Sequence, residues 1–85
     1  MPMSMQPINP ELLKSLVSAG SVRTTTVIAT PEGFSVCIKF GMNEGVLTTF
    51  RGNTRYFKSL HTLLDYFHGL GVFRIELDIS NYQRE

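Results

Sequence analysis

The 85 residues predict an α+β domain of two layers, in the order α-β-β-β-α-β. Three observations lead there. Two apolar stripes recur at helical spacing: Leu12, Leu13, Leu16 and Val17 near the start, and Leu60, Leu63, Leu64, Phe67 and Leu70 later. Two segments alternate apolar and polar residues with the period of a strand, Phe34 to Phe40 and Phe73 to Ile79. Between the helical stripes, two short turn signals, Thr30-Pro31-Glu32-Gly33 and Gly41-Met42-Asn43-Glu44-Gly45, divide the chain into a three-stranded antiparallel meander.

Each element has a local reason. Residues 1–8 carry Met, Pro and Gln without periodicity and read as a mobile arm. The first helix opens at Asn9, a capping side chain, with Pro10 suited to the first helical position and Glu11 to the positive end of the helix dipole. Gly20 ends it. The first meander strand, about Ser21 to Ala29, contains the β-branched run Thr24, Thr25, Thr26, Val27 and Ile28. If Thr30 pairs with Phe34, then Arg23, Thr25 and Val27 share the outer face with Cys37 and Lys39; a slip of one residue would reverse that assignment. The third strand runs from Val46 to about Arg51, and Arg51-Gly52-Asn53-Thr54-Arg55 is a polar break. Ser59 can cap the second helix, and Gly69 and Gly71 stop it. That helix is a crossover returning a fourth strand, Phe73 to Ile79, either parallel to the third strand or beside the first. Both helices pack on one sheet face. The domain spans residues 9–79, and residues 80–85 form a polar, frayed tail.

Composition limits the function. One domain of this length has room for a thin core and little room for an enclosed active site. Eight Lys plus Arg against seven Asp plus Glu argue against a polybasic tail. No apolar run reaches the ~18–20 residues of a membrane span, and the N-terminus lacks the features of a signal peptide. A single cysteine, Cys37, cannot form an internal disulfide, which points to the cytoplasm.

Reactive constellations are sparse. His61, Asp65 and His68 lie on one helix face, but the two histidines are about 10 Å apart by helix rise, too far to share one ion. Cys37 lies mid-strand, away from any helix N-terminus that would activate it. No paired carboxylates or phosphate-cradling glycine loop appear. An enzyme is not expected, and neither a metal, a cofactor, nor a small-molecule substrate is called for.

Charge distribution says more than the total. Residues 20–58 hold Arg23, Lys39, Arg51, Arg55 and Lys58 against Glu32 and Glu44; residues 59–85 hold Arg74 and Arg84 against Asp65, Glu76, Asp78 and Glu85. A basic meander face with hydroxyl neighbours could lie along a phosphate backbone. Val27, Cys37 and Leu47 on the outer face would give an apolar centre within that basic rim, a surface suited to a protein partner or a homodimer.

The stretch Arg51-Gly52-Asn53-Thr54-Arg55-Tyr56-Phe57-Lys58-Ser59-Leu60-His61-Thr62-Leu63, followed by Leu70-Gly71, Asp78 and Tyr82, resembles small ParC-like, partition-associated proteins of bacterial plasmids and integrated mobile elements. Gly20-Ser21-Val22-Arg23 and Phe40-Gly41-Met42 fit the same pattern, so the likeness covers residues 12–82. It implies a role beside a partition ATPase and a centromere-binding protein. The expectation is an accessory protein acting by protein contact or self-association, with a small DNA-binding module as the alternative. Arg23, Lys39, Arg51 and Arg55 are the candidate contacts for a partner or nucleic acid.

Overall fold

The computed structural model describes residues 5–81. Two helices and five strands follow in the order β1 (Gln6–Ile8), α1 (Pro10–Ser18), β2 (Val22–Thr30), β3 (Gly33–Phe40), β4 (Asn43–Leu47), α2 (Leu60–Leu70) and β5 (Glu76–Asp78). The fold is α+β, and β2-β3-β4 form the expected antiparallel meander. Beside it lie two short strands, giving one mixed sheet in the order β1-β4-β3-β2-β5. β1 is parallel to β4 and β5 is parallel to β2, so β3 alone runs against the other four.

β1 corrects the expected arm of residues 1–8. The chain enters the sheet at Gln6, and Ile8 is fully buried. Room for it comes from Gly45, where a Cβ would stand 2.5 Å from Ile8 Cδ1 and 2.6 Å from the Gln6 carbonyl oxygen. Residues 1–4 of that arm, and residues 82–85 of the expected tail, lie outside the described residues. The fourth meander-side strand returns beside β2, the first meander strand, but its ladder is shorter than Phe73 to Ile79.

Helix ends form where their residues dictate. The Asn9 side chain accepts the Leu12 N–H at 2.8 Å, and Gly20, at φ +69°, lets the Ser21 N–H close on the Leu16 carbonyl at 2.9 Å. Ser59 caps α2. Gly71 alone terminates that helix; Gly69 lies within it.

The turn between β2 and β3 sets the register. Its loop is Pro31-Glu32, and Thr30 pairs with Gly33, not with Phe34. Gly33 joins the strand at φ +137°, and its missing side chain admits the backbone carbonyl of Phe57, which would lie 2.6 Å from a Cβ. This one-residue difference reverses β2. Thr25, Val27 and Ala29 face the helices, opposite Ile38, Val36 and Phe34. Leu13 from α1, Leu63 and Phe67 from α2, Phe57, and Ile8, Val27, Val36, Ile38 and Leu47 from the sheet form one core. Because those strand residues share one face by register, both helices cover that face.

Candidate docking surface

The uncovered face of the sheet has a different composition from the one expected. Val27 and Leu47 are in the core, and Ile28 and Val46 take their places outside, Val46 opposite Cys37 and Ile28 opposite Ser35. Across the middle of that face run Pro7, Val46, Cys37, Thr26 and Glu76. Lys39 pairs with Thr24 on one side and Glu44 on the other. Glu76 and Asp78 stand beside Thr26 and Ile28. Among the described residues paired across this face, Lys39 is set among three carboxylates in place of the expected basic rim. Burial and the neighbouring Glu44 carboxylate push the Cys37 thiol above its ordinary pKa, the reverse of an activated nucleophile.

The four candidate cations do not converge. Arg23 sits at a bulge between Val22 and Thr24, where its Nη1 donates to the Gly41 carbonyl at 3.3 Å. With Arg74 it lines an open groove of about 430 Å³ beside Gly20 and Gly71, just past the ends of both helices. α1 has no basic residue in its last turn, and the groove brings these two arginines beside its C-terminal Val17 and Gly20. Thr25 on the same groove has a buried hydroxyl without a hydrogen-bond partner among the described residues.

Arg51 and Arg55 lie beyond the other end of the meander. After β4 the chain makes a tight excursion: Thr48 bridges Thr54, and the Gly52 N–H donates to the Thr49 carbonyl at 3.0 Å. Arg51 is exposed at its tip beside Phe50. Arg55 is half-buried, its guanidinium carbon 4.4 Å from the centre of the Phe57 ring and 5.6 Å from that of Tyr66. Its main-chain N–H holds the Leu47 carbonyl at 2.9 Å. Arg55 is thus a packing cation that ties this excursion to α2. In α2, His61 Nε2 pairs with Asp65 Oδ2 at 3.3 Å, whereas the His68 ring lies edge-on to Phe73 with centroids 5.1 Å apart. The three side chains do not gather at one point.

The strongest surface feature lies at the β5 edge. The ladder with β2 starts at Thr26 and Glu76, so Phe73, Arg74 and Ile75 approach it without a strand partner. Phe73 is 74% exposed, Leu77 47% and Ile79 60%. Leu64 of α2, 42% exposed, adds to the apolar surface on the helix-covered side. The opposite edge is protected. The Thr48 N–H donates to the Ile8 carbonyl at 2.8 Å, so by alternation Pro7 turns its nitrogen outward, and a proline nitrogen offers no N–H to an incoming strand. Periodicity set Phe73, Leu77 and Ile79 on one face; of the three, Leu77 lies in the β5 ladder, beside the core residue Val27. It gave no sign that this face ends at a sheet edge, because strand order depends on where the crossover helix lands.

Among the described residues, no helix is long and apolar enough to cross a membrane. No curated protein and no solved structure shows significant similarity to the chain. A family model described as ParC-like matches residues 8–83, from the last residue of β1 through both helices and the β5 edge. With all but the first seven and last two residues inside that match, the chain belongs to the ParC-like family.

Proposed function

We propose that this protein is a non-enzymatic accessory factor in the partition or maintenance of a bacterial plasmid or integrated mobile element, working in the cytoplasm by protein–protein contact. The observation that carries this reading is the row of large apolar side chains, Phe73, Leu77 and Ile79, exposed along the one strand edge that no proline protects. Apolar surface concentrated on an open edge suits strand addition by a partner. Family membership supports the partition context.

The DNA-binding alternative draws less support. Lys39 is flanked by Glu44, Arg55 is engaged with two aromatic rings, and Arg23 lies at the other end of the meander from Arg51. A titration of duplex and single-stranded DNA at low and moderate salt checks this; tight binding with a steep salt slope would restore that alternative. A cysteine nucleophile in particular is disfavoured, since burial and the Glu44 carboxylate raise the pKa of the Cys37 thiol. Neither a cofactor nor a metal has a part in the proposal.

The test is genetic. Deleting the gene from its element raises the loss rate per generation, the wild type restores retention, and Leu77→Asp does not. Unchanged retention after deletion, or a gene neighbourhood that is purely metabolic, would overturn the proposal.

A further inference from the structure

The sequence of the exposed edge is complementary to itself. From Phe73 it reads Phe-Arg-Ile-Glu-Leu: apolar residues at the first, third and fifth positions, a cation at the second and a carboxylate at the fourth. When two such strands run antiparallel about Ile75, Phe73 meets Leu77 of the second copy, Ile75 meets Ile75, and Arg74 meets Glu76 twice. Every opposite-charge pair is satisfied and no like charges face one another. The neighbouring register, centred on Leu77, would place Glu76 against Asp78 and is disfavoured by repulsion. A centre on Glu76 would oppose two glutamates.

We propose that a second copy of this chain docks here, joining the two sheets edge to edge about a two-fold axis at Ile75. This rests on the reading of the β5 edge as a docking surface and names its occupant. Three structural observations support it physically. Arg74 and Glu76 have no ion-pair partner among the described residues, so both are free to form the cross-strand pairs. Phe73 to Ile75 lie beside Arg23, Thr24 and Thr25 of β2 without being laddered to it, so they have no ladder partner to give up. Leu77 lies beside Val27, and Ile75 packs against the core and lines a small cavity with Phe67 of α2, which puts these apolar partners of the dimer on the helix-covered side of the joined sheet. A two-fold axis of this kind uses the same patch on both copies and closes after two, so it does not propagate into fibres. It also removes the open edge.

Five residues per copy make a small interface, and the dissociation constant is expected on the order of 100 µM. Sedimentation equilibrium between about 10 µM and 1 mM tests it. The wild type is expected to shift from monomer to dimer over that range. Arg74→Glu, which sets two carboxylates against each other across each pair, is expected to weaken the dimer at least tenfold, as is Glu76→Arg, which sets two guanidinium groups together. Arg74→Glu combined with Glu76→Arg restores opposite charges in the same register and is expected to return the dimer. Both positions are exposed, so the variants keep the fold, which amide spectra verify.

A wild type that stays monomeric at 1 mM would overturn the proposal. So would a dimer indifferent to both single charge reversals, or one abolished by Val46→Lys on the uncovered face. These outcomes differ from failure of the docking reading itself. A monomeric protein whose Leu77→Asp variant still fails to maintain its element keeps the edge as a docking surface and assigns it to another protein.

Discussion

Gly45→Ala tests how the first strand is held. Gly45 lies outside the left-handed region, so alanine is acceptable to its backbone, and in an open strand the change would stabilise by about 0.5–1 kcal/mol. Here the new methyl would stand 2.5 Å from Ile8 Cδ1, 2.6 Å from Ile8 Cγ1 and 2.6 Å from the Gln6 carbonyl oxygen. Two responses are open. If β1 stays, the overpacking costs about 1–3 kcal/mol. If β1 leaves, Ile8 loses the burial of a whole side chain, worth about 1.5–3 kcal/mol. At mid-range either route, less the propensity gain, gives a net loss of about 1–1.5 kcal/mol, or a fall in melting temperature of about 4–12 °C for a domain of this size. Urea unfolding followed by circular dichroism gives the free energy, and amide spectra report whether residues 6–8 remain in the sheet. Ile8→Ala alone is expected to cost about 2–4 kcal/mol. Combined with Gly45→Ala it should cost less than the sum by about 1 kcal/mol, because removing the Ile8 branches relieves two of the three close contacts. A Gly45→Ala protein within 0.5 kcal/mol of wild type, or additive with Ile8→Ala, would refute the close approach of β1 to β4.

Three further outcomes follow from the same geometry. Arg55→Ala should destabilise by about 1–2 kcal/mol through loss of its stacking on Phe57 and Tyr66, and Arg55→Lys should recover only part of this; Arg51→Ala should lie within about 0.5 kcal/mol of wild type, and equal effects at 51 and 55 would contradict the different placements. Thr25→Val replaces a buried, unpartnered hydroxyl with a methyl group and should stabilise by about 1 kcal/mol; a loss in thermal melts would mean that the hydroxyl has a partner. Cys37 should react with a thiol reagent at neutral pH more slowly in the folded protein than in urea, since burial and Glu44 hold its thiol protonated. The folded pKa being raised, this group's contribution to stability is present below the ordinary thiol range and is lost as pH rises through the folded value; labelling as fast as a free thiol would contradict the placement.

Most of the fold was legible because its signals are local. Asn9 and Ser59 cap the helices they were expected to cap, and Gly20 and Gly71 end them. The alternation of Phe34, Val36, Ile38 and Phe40 describes β3 correctly. The errors came from non-local facts. Whether Thr25 or Thr26 faces the core turns on one residue in the β2–β3 loop, and that residue, Gly33, is placed by contact with Phe57, far along the chain. β1 is three residues long and has no periodicity to find; it exists because Gly45 leaves a gap for Ile8. Arg55 reads from the sequence as a candidate contact for a partner or nucleic acid, yet it is held by rings that only the tertiary fold brings near it. The edge residues were visible as an amphipathic strand, and only strand order revealed that one side of it is unpaired.

The most direct test of self-association through the β5 edge is an isotope-filtered NOE experiment on a mixture of labelled and unlabelled protein near 1 mM, a concentration set by the weak affinity expected of so small an interface. Contacts between copies from the Phe73 ring to the Leu77 methyl groups, and from Ile75 to Ile75, are the predicted result. Intermolecular contacts from Val46 and Cys37 in their place, or none at all at that concentration, would contradict it.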